Sequence, residues 1–319
     1  MITLNADEAR AALDLPSVIE ALRAMFRDGC EAPVRHHHAI AAEGQPTATM
    51  LLMPAWLAGR YLGVKLVNVF PGNGARGLPA VQGVYLLFSG ETGELIASIE
   101  GNELTARRTV AASALAASYL AREDAATLLV VGTGRLAHLM PHAHAAVRPV
   151  RKVLVWGRDQ AKAAALARDL AGQGFAASAA ADLPAAVAEA DIVSSVTLSR
   201  EPLVRGAWLK PGAHLDLVGG FTPEMREADD DALRRASVFI DTPGALQEAG
   251  DIVVPLTTGV LRKEEIRADL AALTRGEHPG RTRPDEITFF KSVGAAAEDL
   301  AAAMLAYQRA RAATARPTP

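Results

Sequence analysis

The texture of apolar and polar positions changes twice along this chain, and each change predicts a different kind of element. The first stretch reads as helix. Asn5-Ala-Asp-Glu8 has the spacing of a capping box and opens a short helix. Leu15-Pro16 opens a second, with proline suited to the first helical position, and this one runs to about Gly29. β-rich runs follow at His36 to Ala41, Thr47 to Met53, Tyr61 to Phe70 and Val81 to Phe88, parted by glycine and proline. Ser89-Gly-Glu-Thr-Gly93 reads as a hairpin turn into Glu94–Ile99, so these runs predict an antiparallel sheet. An alanine-rich helix then spans Glu103 to Arg122, and Glu123-Asp124 marks a border.

Beyond Ala126 strand and helix alternate. Strands are expected at 127–131, 153–156, 192–196, 214–218 and 238–241, with helices at Asp159–Ala171, Leu183–Ala190 and Asp229–Arg235. Such alternation builds a doubly wound parallel sheet. A last alanine-rich helix follows Phe290-Lys-Ser-Val-Gly294 and runs to about Arg311; the tail from Thr314 to Pro319 is expected to be disordered. At the head of the alternating half stands Leu128-Leu-Val-Val-Gly-Thr-Gly-Arg-Leu-Ala137, a G-x-G-x-x-A pattern closing an apolar run. Gly132 suits the tight strand-to-helix turn, Gly134 lets backbone N–H groups approach a pyrophosphate, and small Ala137 lets helix and strand pack closely. The fold class is therefore α/β: a Rossmann-type dinucleotide-binding domain at 124–294, and an α+β domain with the antiparallel sheet at 1–123, completed by the helix at 295–319.

Composition narrows the class. The chain has 319 residues, enough for two domains, and half are hydrophobic, enough for a large core. A formal net charge of −3 argues against nucleic acid or an acidic membrane as partner. A single cysteine, Cys30, rules out an internal disulfide and fits a reducing compartment. The start, Met1 to Asn5, lacks a basic region and a long apolar run, and no stretch approaches a membrane span, so a cytoplasmic protein is expected.

Several charged residues stand in odd surroundings. Lys65 is flanked by apolar residues on a strand, Arg35 enters the sheet after Pro33-Val34, and Arg107 and Arg108 lie in the alanine-rich helix. Helical spacing puts Arg108 on the face of Leu104, Ala111 and Leu115, which predicts burial. A buried cation needs an anion, either a protein carboxylate or a substrate carboxylate, and arginine's fork suits both. The histidines do not assemble a metal site by spacing: His36-His37-His38 cannot all face one way on a strand, and His138 and His142 lack a third ligand. Cys30 reads as inert, and Ser194-Ser195 as strand-end residues lining the cofactor cleft. At the end of the second strand, Gly157 stands where an NAD-preferring site places an acid, and Arg158 can meet a 2′-phosphate. NADPH is expected, with NADH admitted, since Asp159 could turn toward the ribose.

The chain resembles the ornithine cyclodeaminase/mu-crystallin family. The matching segments are Val64-Lys-Leu-Val-Asn68 with Pro71-Gly-Asn73, Leu104-Thr-Ala-Arg-Arg-Thr109, Val131-Gly-Thr-Gly134, His214-Leu-Asp-Leu-Val-Gly-Gly220, Val238-Phe-Ile-Asp241, Glu248-Ala-Gly-Asp251 and Phe290-Lys-Ser-Val-Gly294. The resemblance implies a homodimer with a substrate site in the first domain, where Arg35, Lys65 and Arg108 bind the substrate carboxylate and Lys65 and Arg108 serve catalysis. It implies a dinucleotide site at Thr109, Gly132, Thr133, Gly134, Arg135, Leu136, Gly157, Arg158, Thr197, Val218, Gly219, Lys291 and Ser292. Two departures matter. Cyclodeaminases carry acids that handle the amine where this chain has Leu51 and Phe221. That pattern resembles the ketimine-reductase branch and implies NAD(P)H-dependent reduction of a cyclic imino acid, Δ1-pyrroline-2-carboxylate or Δ1-piperideine-2-carboxylate, with Leu51 and Phe221 lining the substrate. Alanine dehydrogenase, ornithine cyclodeaminase and a crystallin-like NADPH-dependent binder are the alternatives.

Overall fold

A computed structural model describes residues 1–44 and 46–314; the tail expected to be disordered falls, after Thr314, outside them. In chain order the elements are β1 (Ile2–Leu4), α1 (Ala6–Ala12), α2 (Leu15–Asp28), β2 (His36–Ile40), β3 (Ala48–Leu57), β4 (Tyr61–Val69), β5 (Val81–Ser89), β6 (Leu95–Glu100) and α3 (Gly101–Leu120). They continue with β7 (Thr127–Val131), α4 (Arg135–Ala145), β8 (Lys152–Trp156), α5 (Gln160–Gly172), β9 (Ala176–Ala179), α6 (Leu183–Glu189), β10 (Ile192–Ser195) and β11 (His214–Leu217). The last are α7 (Asp230–Arg235), β12 (Ala236–Ile240), α8 (Ala245–Glu248), α9 (Gly250–Thr258), β13 (Ile266–Asp269), α10 (Leu270–Arg275), β14 (Ile287–Lys291) and α11 (Ala296–Thr314). Two compact units form, one from Met1–Arg108 with the segment from Ala295 onward, the other from Thr109–Gly294. The division falls inside α3, ahead of the border expected at 123/124. The second half of that helix bonds into the second unit: Ser113 Oγ donates to Asp216, and the Leu120 carbonyl accepts from Arg281 Nε.

In the first unit the capping box is present: Asn5 Oδ1 accepts from the N–H of Asp7 and Glu8, and Glu8 accepts from the Asn5 N–H. Asp14 caps α2, whose apolar face buries Val18, Ile19, Leu22 and Phe26. The sheet runs in the order β1-β6-β5-β4-β3-β2. It is antiparallel from β2 to β6, but β1 pairs with β6 in parallel, Ile2 opposite Ala97. The sheet is therefore mixed, a correction to the antiparallel expectation; a three-residue edge strand is too short to show alternation. Helix α11 packs on α2 and on β3, β4 and β5.

In the second unit eight parallel strands lie in the order β13-β12-β14-β11-β10-β7-β8-β9. From β7 the chain winds outward through β8 and β9, then returns to the other side of β7 with β10, which is the doubly wound pattern. Strands β9, β13 and β14 were not foreseen. β14, Ile-Thr-Phe-Phe-Lys, is buried throughout and sits between β11 and β12; a short apolar run with no polar alternation gives no periodic signal. The helices on the sheet bury Ala186, Val187, Ala232 and Leu233 against Leu129, Val193, Leu215 and Phe289.

One glycine of the first unit is dictated by space. A Cβ at Gly63 would lie 2.0 Å from the Tyr85 hydroxyl oxygen, and Tyr85 is fully buried. Gly63→Ala is expected to destabilise the protein by about 1–3 kcal/mol through overpacking, read as a lower midpoint in a denaturant titration with unchanged slope.

Candidate functional site

In the first unit, strand register fixes which side chains share a face. Met53, Lys65, Tyr85 and Ile99 stand directly opposite one another across β3, β4, β5 and β6. Leu51 pairs with Val67, two residues along from the Met53–Lys65 pair, so Leu51 and Lys65 share a face. On the other strand Leu51 pairs with His37, and Arg35 precedes the first residue of β2. Lys65 is 2% exposed and Arg108, on α3, is 5% exposed.

Both buried cations meet protein carboxylates. Lys65 Nζ donates to Asp299 Oδ1 at 2.9 Å and lies 2.8 Å from Oδ2. Arg108 Nε donates to the same Oδ1 at 2.9 Å, and its Nη1 donates to Glu298 Oε2 at 2.7 Å. Of the two anions left open by the spacing of Arg108, the structure supplies the protein's own. Burial, with the neighbouring Arg108 guanidinium and more weakly Arg35, lowers the Lys65 ammonium to about 8 against the pull of Asp299. Sequence reasoning missed Glu298, Asp299 and Tyr85. The available signal was two adjacent acids in the first turn of an otherwise small and apolar helix, where 0% exposure is expected only of paired charges.

In the second unit the glycines of the fingerprint behave differently from one another. Gly132 has φ of 126°, and a Cβ there would meet the Val196 carbonyl oxygen at 3.1 Å. Gly134 is the N-cap of α4, makes no side-chain cap bond, is exposed, and a Cβ there would meet nothing within 4 Å. The start of α4 thus presents backbone N–H groups next to open space, which suits a pyrophosphate. Ala137 is fully buried. Arg135 is exposed, with Thr133 and Leu136 partly buried beside it, and Thr109 is partly buried on α3.

A buried acid organises the ends of the neighbouring strands. Glu227 accepts from Ser195 Oγ at 2.6 Å, Thr197 N at 2.8 Å, Thr197 Oγ1 at 2.9 Å, Gly219 N at 2.7 Å and Gly220 N at 3.2 Å. Asp251 in turn accepts from the N–H of Glu227 and Ala228. Burial pushes the Glu227 carboxyl up, against the opposing pull of Lys291. A Cβ at Gly219 would fall 1.7 Å from the Thr197 carbonyl oxygen, so only glycine fits beside the Thr197 backbone. Thr197, Val218 and Gly219 are thereby brought together at the ends of β10 and β11.

Lys291 is 0% exposed, and its ammonium lies 3.5 Å from Asp251 and 3.7 Å from Glu227, so its side chain faces protein carboxylates rather than open space. Ser292 is 3% exposed, and the following N–H groups of Val293 and Gly294 are held by Asp241 Oδ2 at 2.7 Å each. Ser194 and Ser195 do not line a cleft: both are fully buried, Ser194 bonded to Asp216 and Ser195 to Glu227. Gly157 is buried, and a Cβ there would meet Thr133 Cγ2 at 2.7 Å; Arg158 is exposed; Asp159 caps α5 through the Lys162 N–H. Phe221 follows β11 and is 45% exposed, so it and Leu51 belong to different units. Burial pushes the Cys30 thiol up to about 11, which keeps it protonated. Among the described residues no three metal-ligating side chains gather, and no helix is long and apolar enough to cross a membrane.

Comparison with known proteins adds the following. The model of the ornithine cyclodeaminase/mu-crystallin family matches residues 5–314. A Δ1-pyrroline-2-carboxylate reductase of Paracoccus denitrificans is 42% identical over 286 residues, 87% of this chain and 90% of that one. The Thermococcus litoralis Δ1-pyrroline-2-carboxylate reductase, solved with NADH and L-proline, superposes with a TM-score of 0.92 at 32% identity, over 100% of both chains. An archaeal alanine dehydrogenase dimer with bound NAD superposes with a TM-score of 0.90 at 28% identity, over 99% of this chain and 98% of that one.

The contrast between the two fingerprint glycines is testable. Gly134→Ala is expected to leave the melting temperature unchanged while weakening dinucleotide binding about tenfold, because the methyl group occupies the space a pyrophosphate needs. Gly132→Ala is expected to lower the melting temperature itself. Thermal melts with and without dinucleotide separate the two.

Proposed function

The chain belongs to the ornithine cyclodeaminase/mu-crystallin family, and from that premise we propose that it reduces a cyclic ketimine with NAD(P)H, Δ1-pyrroline-2-carboxylate giving L-proline. The observation that carries this reading is the buried pair Lys65 and Arg108 on a face that presents Leu51 where an amine-handling acid would stand. Arg108, Lys65 and Arg35 hold the substrate carboxylate, which fixes the ring and leaves C2 as the electrophile. Leu51 offers only apolar contact to the ring methylenes, each worth about 0.8 kcal/mol when buried. An ammonium pressed on that side chain loses hydration without gaining a partner, at a cost of several kcal/mol. When bound, the reduced nicotinamide dinucleotide would supply the hydride for C2, and with one proton on the imine nitrogen the ring would gain two electrons. We assign that proton to Lys65, ahead of a water or a substrate that binds already protonated, because its lowered pKa lets it donate near neutral pH.

Gly132–Gly134 and the start of α4, with Thr197, Val218 and Gly219, would hold the dinucleotide. The protein works as a homodimer in the cytoplasm; exposed Leu62, Phe70 and Val81 of the first unit's sheet region support an apolar contact there. A panel of Δ1-pyrroline-2-carboxylate, Δ1-piperideine-2-carboxylate, pyruvate with ammonium, and L-ornithine tests the reading. NADPH oxidation with the cyclic imines and no ammonia release from ornithine with NAD⁺ are expected. Faster turnover of pyruvate with ammonium would make the protein an amino-acid dehydrogenase, and NADPH binding with no turnover would make it a binder.

The cofactor preference follows from the end of β8. Asp159 is committed to capping α5, Gly157 offers no acid to a ribose, and the exposed Arg158 is a cation that can meet a 2′-phosphate. NADPH is expected to give the higher kcat/KM, and Arg158→Ala to lower the NADPH/NADH ratio about fivefold, the scale of an exposed charge pair. A ratio unmoved by that substitution refutes the assignment.

A further inference from the structure

The Lys65 ammonium is surrounded by charged and polar groups from each element packed on its face of the sheet. Asp299 and Glu298 come from α11, Arg108 from α3, the buried Tyr85 hydroxyl from β5, and Arg35 from the segment ahead of β2; Cys30, after α2, acts in turn on Tyr85. One carboxylate stands at the centre. Asp299 Oδ1 accepts from Lys65 Nζ and from Arg108 Nε, each at 2.9 Å, while Oδ2 lies 2.8 Å from Lys65 Nζ. Asp299 is 0% exposed. Without it, a buried ammonium would face a guanidinium with no anion bonded to both.

We propose that Asp299 is a positioning residue that locks Lys65 and Arg108 into one cationic pair and keeps the Lys65 ammonium charged where burial would otherwise discharge it. The geometry gives Asp299 and Glu298 different tasks. Glu298 bonds the outer nitrogen of the guanidinium, whereas Asp299 spans both cations through a single oxygen. Both acids lie in the first turn of α11, where the helix dipole favours negative charge. The proposal rests on the reading of Lys65 and Arg108 as the substrate clamp, so its test is arranged to stand without substrate.

The chain has six lysines, and ¹³Cε-lysine labelling of the full-length protein lets each be titrated by NMR, with Lys65→Arg identifying its signal. In the wild type the Lys65 signal should titrate near pH 8. In Asp299→Asn its midpoint should fall by about one pH unit or more, since an opposite charge in contact has been removed, and Asp299→Glu should return it toward the wild-type value. In kinetics, kcat/KM for the cyclic imine should decline above the same midpoint, and in Asp299→Asn that decline should begin at correspondingly lower pH with dinucleotide affinity unchanged. A purely structural role predicts instead a loss by the same factor at every pH, with the decline in place; that result, or an unmoved Lys65 midpoint in folded Asp299→Asn, overturns the proposal. So does a wild-type Lys65 midpoint well below neutrality. A protein that reduces no cyclic imine refutes the reductase reading while leaving the substrate-free titration to decide the role of Asp299.

Discussion

Taking an ammonium and a guanidinium out of water costs several kcal/mol per ion unless carboxylates come with them. Lys65 and Arg108 are buried to 2% and 5% exposure, and the first unit meets that demand by docking α11 onto its sheet with Glu298 and Asp299 in the first turn. Much else in the unit serves this packing. The alanines of α11 let the helix lie close to β3, β4 and β5, Gly63 leaves room for the Tyr85 ring, and the Met53–Lys65–Tyr85 row sets the ammonium among apolar neighbours. A cation held this way has a fixed position and a pKa lowered to about 8, both of which suit the tasks proposed for it.

The second unit uses buried carboxylates for another purpose. Glu227, Asp251 and Asp241 accept mostly from backbone N–H groups, at Thr197, Gly219 and Gly220, at Glu227 and Ala228, and at Val293 and Gly294. Loop backbone at the ends of parallel strands has no ladder partner, and an ionised side chain is a strong acceptor for several such donors at once. The loops after β10, β11 and β14 are thus fixed before any ligand arrives, whereas the start of α4 at Gly134 is left uncapped. That difference separates loop backbone held by buried carboxylates from backbone left open at the start of α4, and Lys291 and Ser292 are buried.

What the sequence determined by itself was whatever local spacing encodes. The capping box at Asn5, the proline-led α2, the strand–helix alternation after Ala126 and the glycine fingerprint all follow from positions a few residues apart, because turns, caps and amphipathic faces are local physics. The oddness of Lys65 and Arg108 was legible for the same reason: a charge on an apolar face can be seen without knowing its partner. Strands β1, β9 and β13 were too short to alternate, and β14 is buried on both faces and so carries no polar alternation. The identity of the buried anions was decided only by the tertiary structure. Asp299 lies 234 residues from Lys65 and 191 from Arg108 along the chain, and no spacing rule connects positions that far apart. Their meeting depends on the last helix returning to the first unit, and only the packing of that helix shows that these cations already have protein partners.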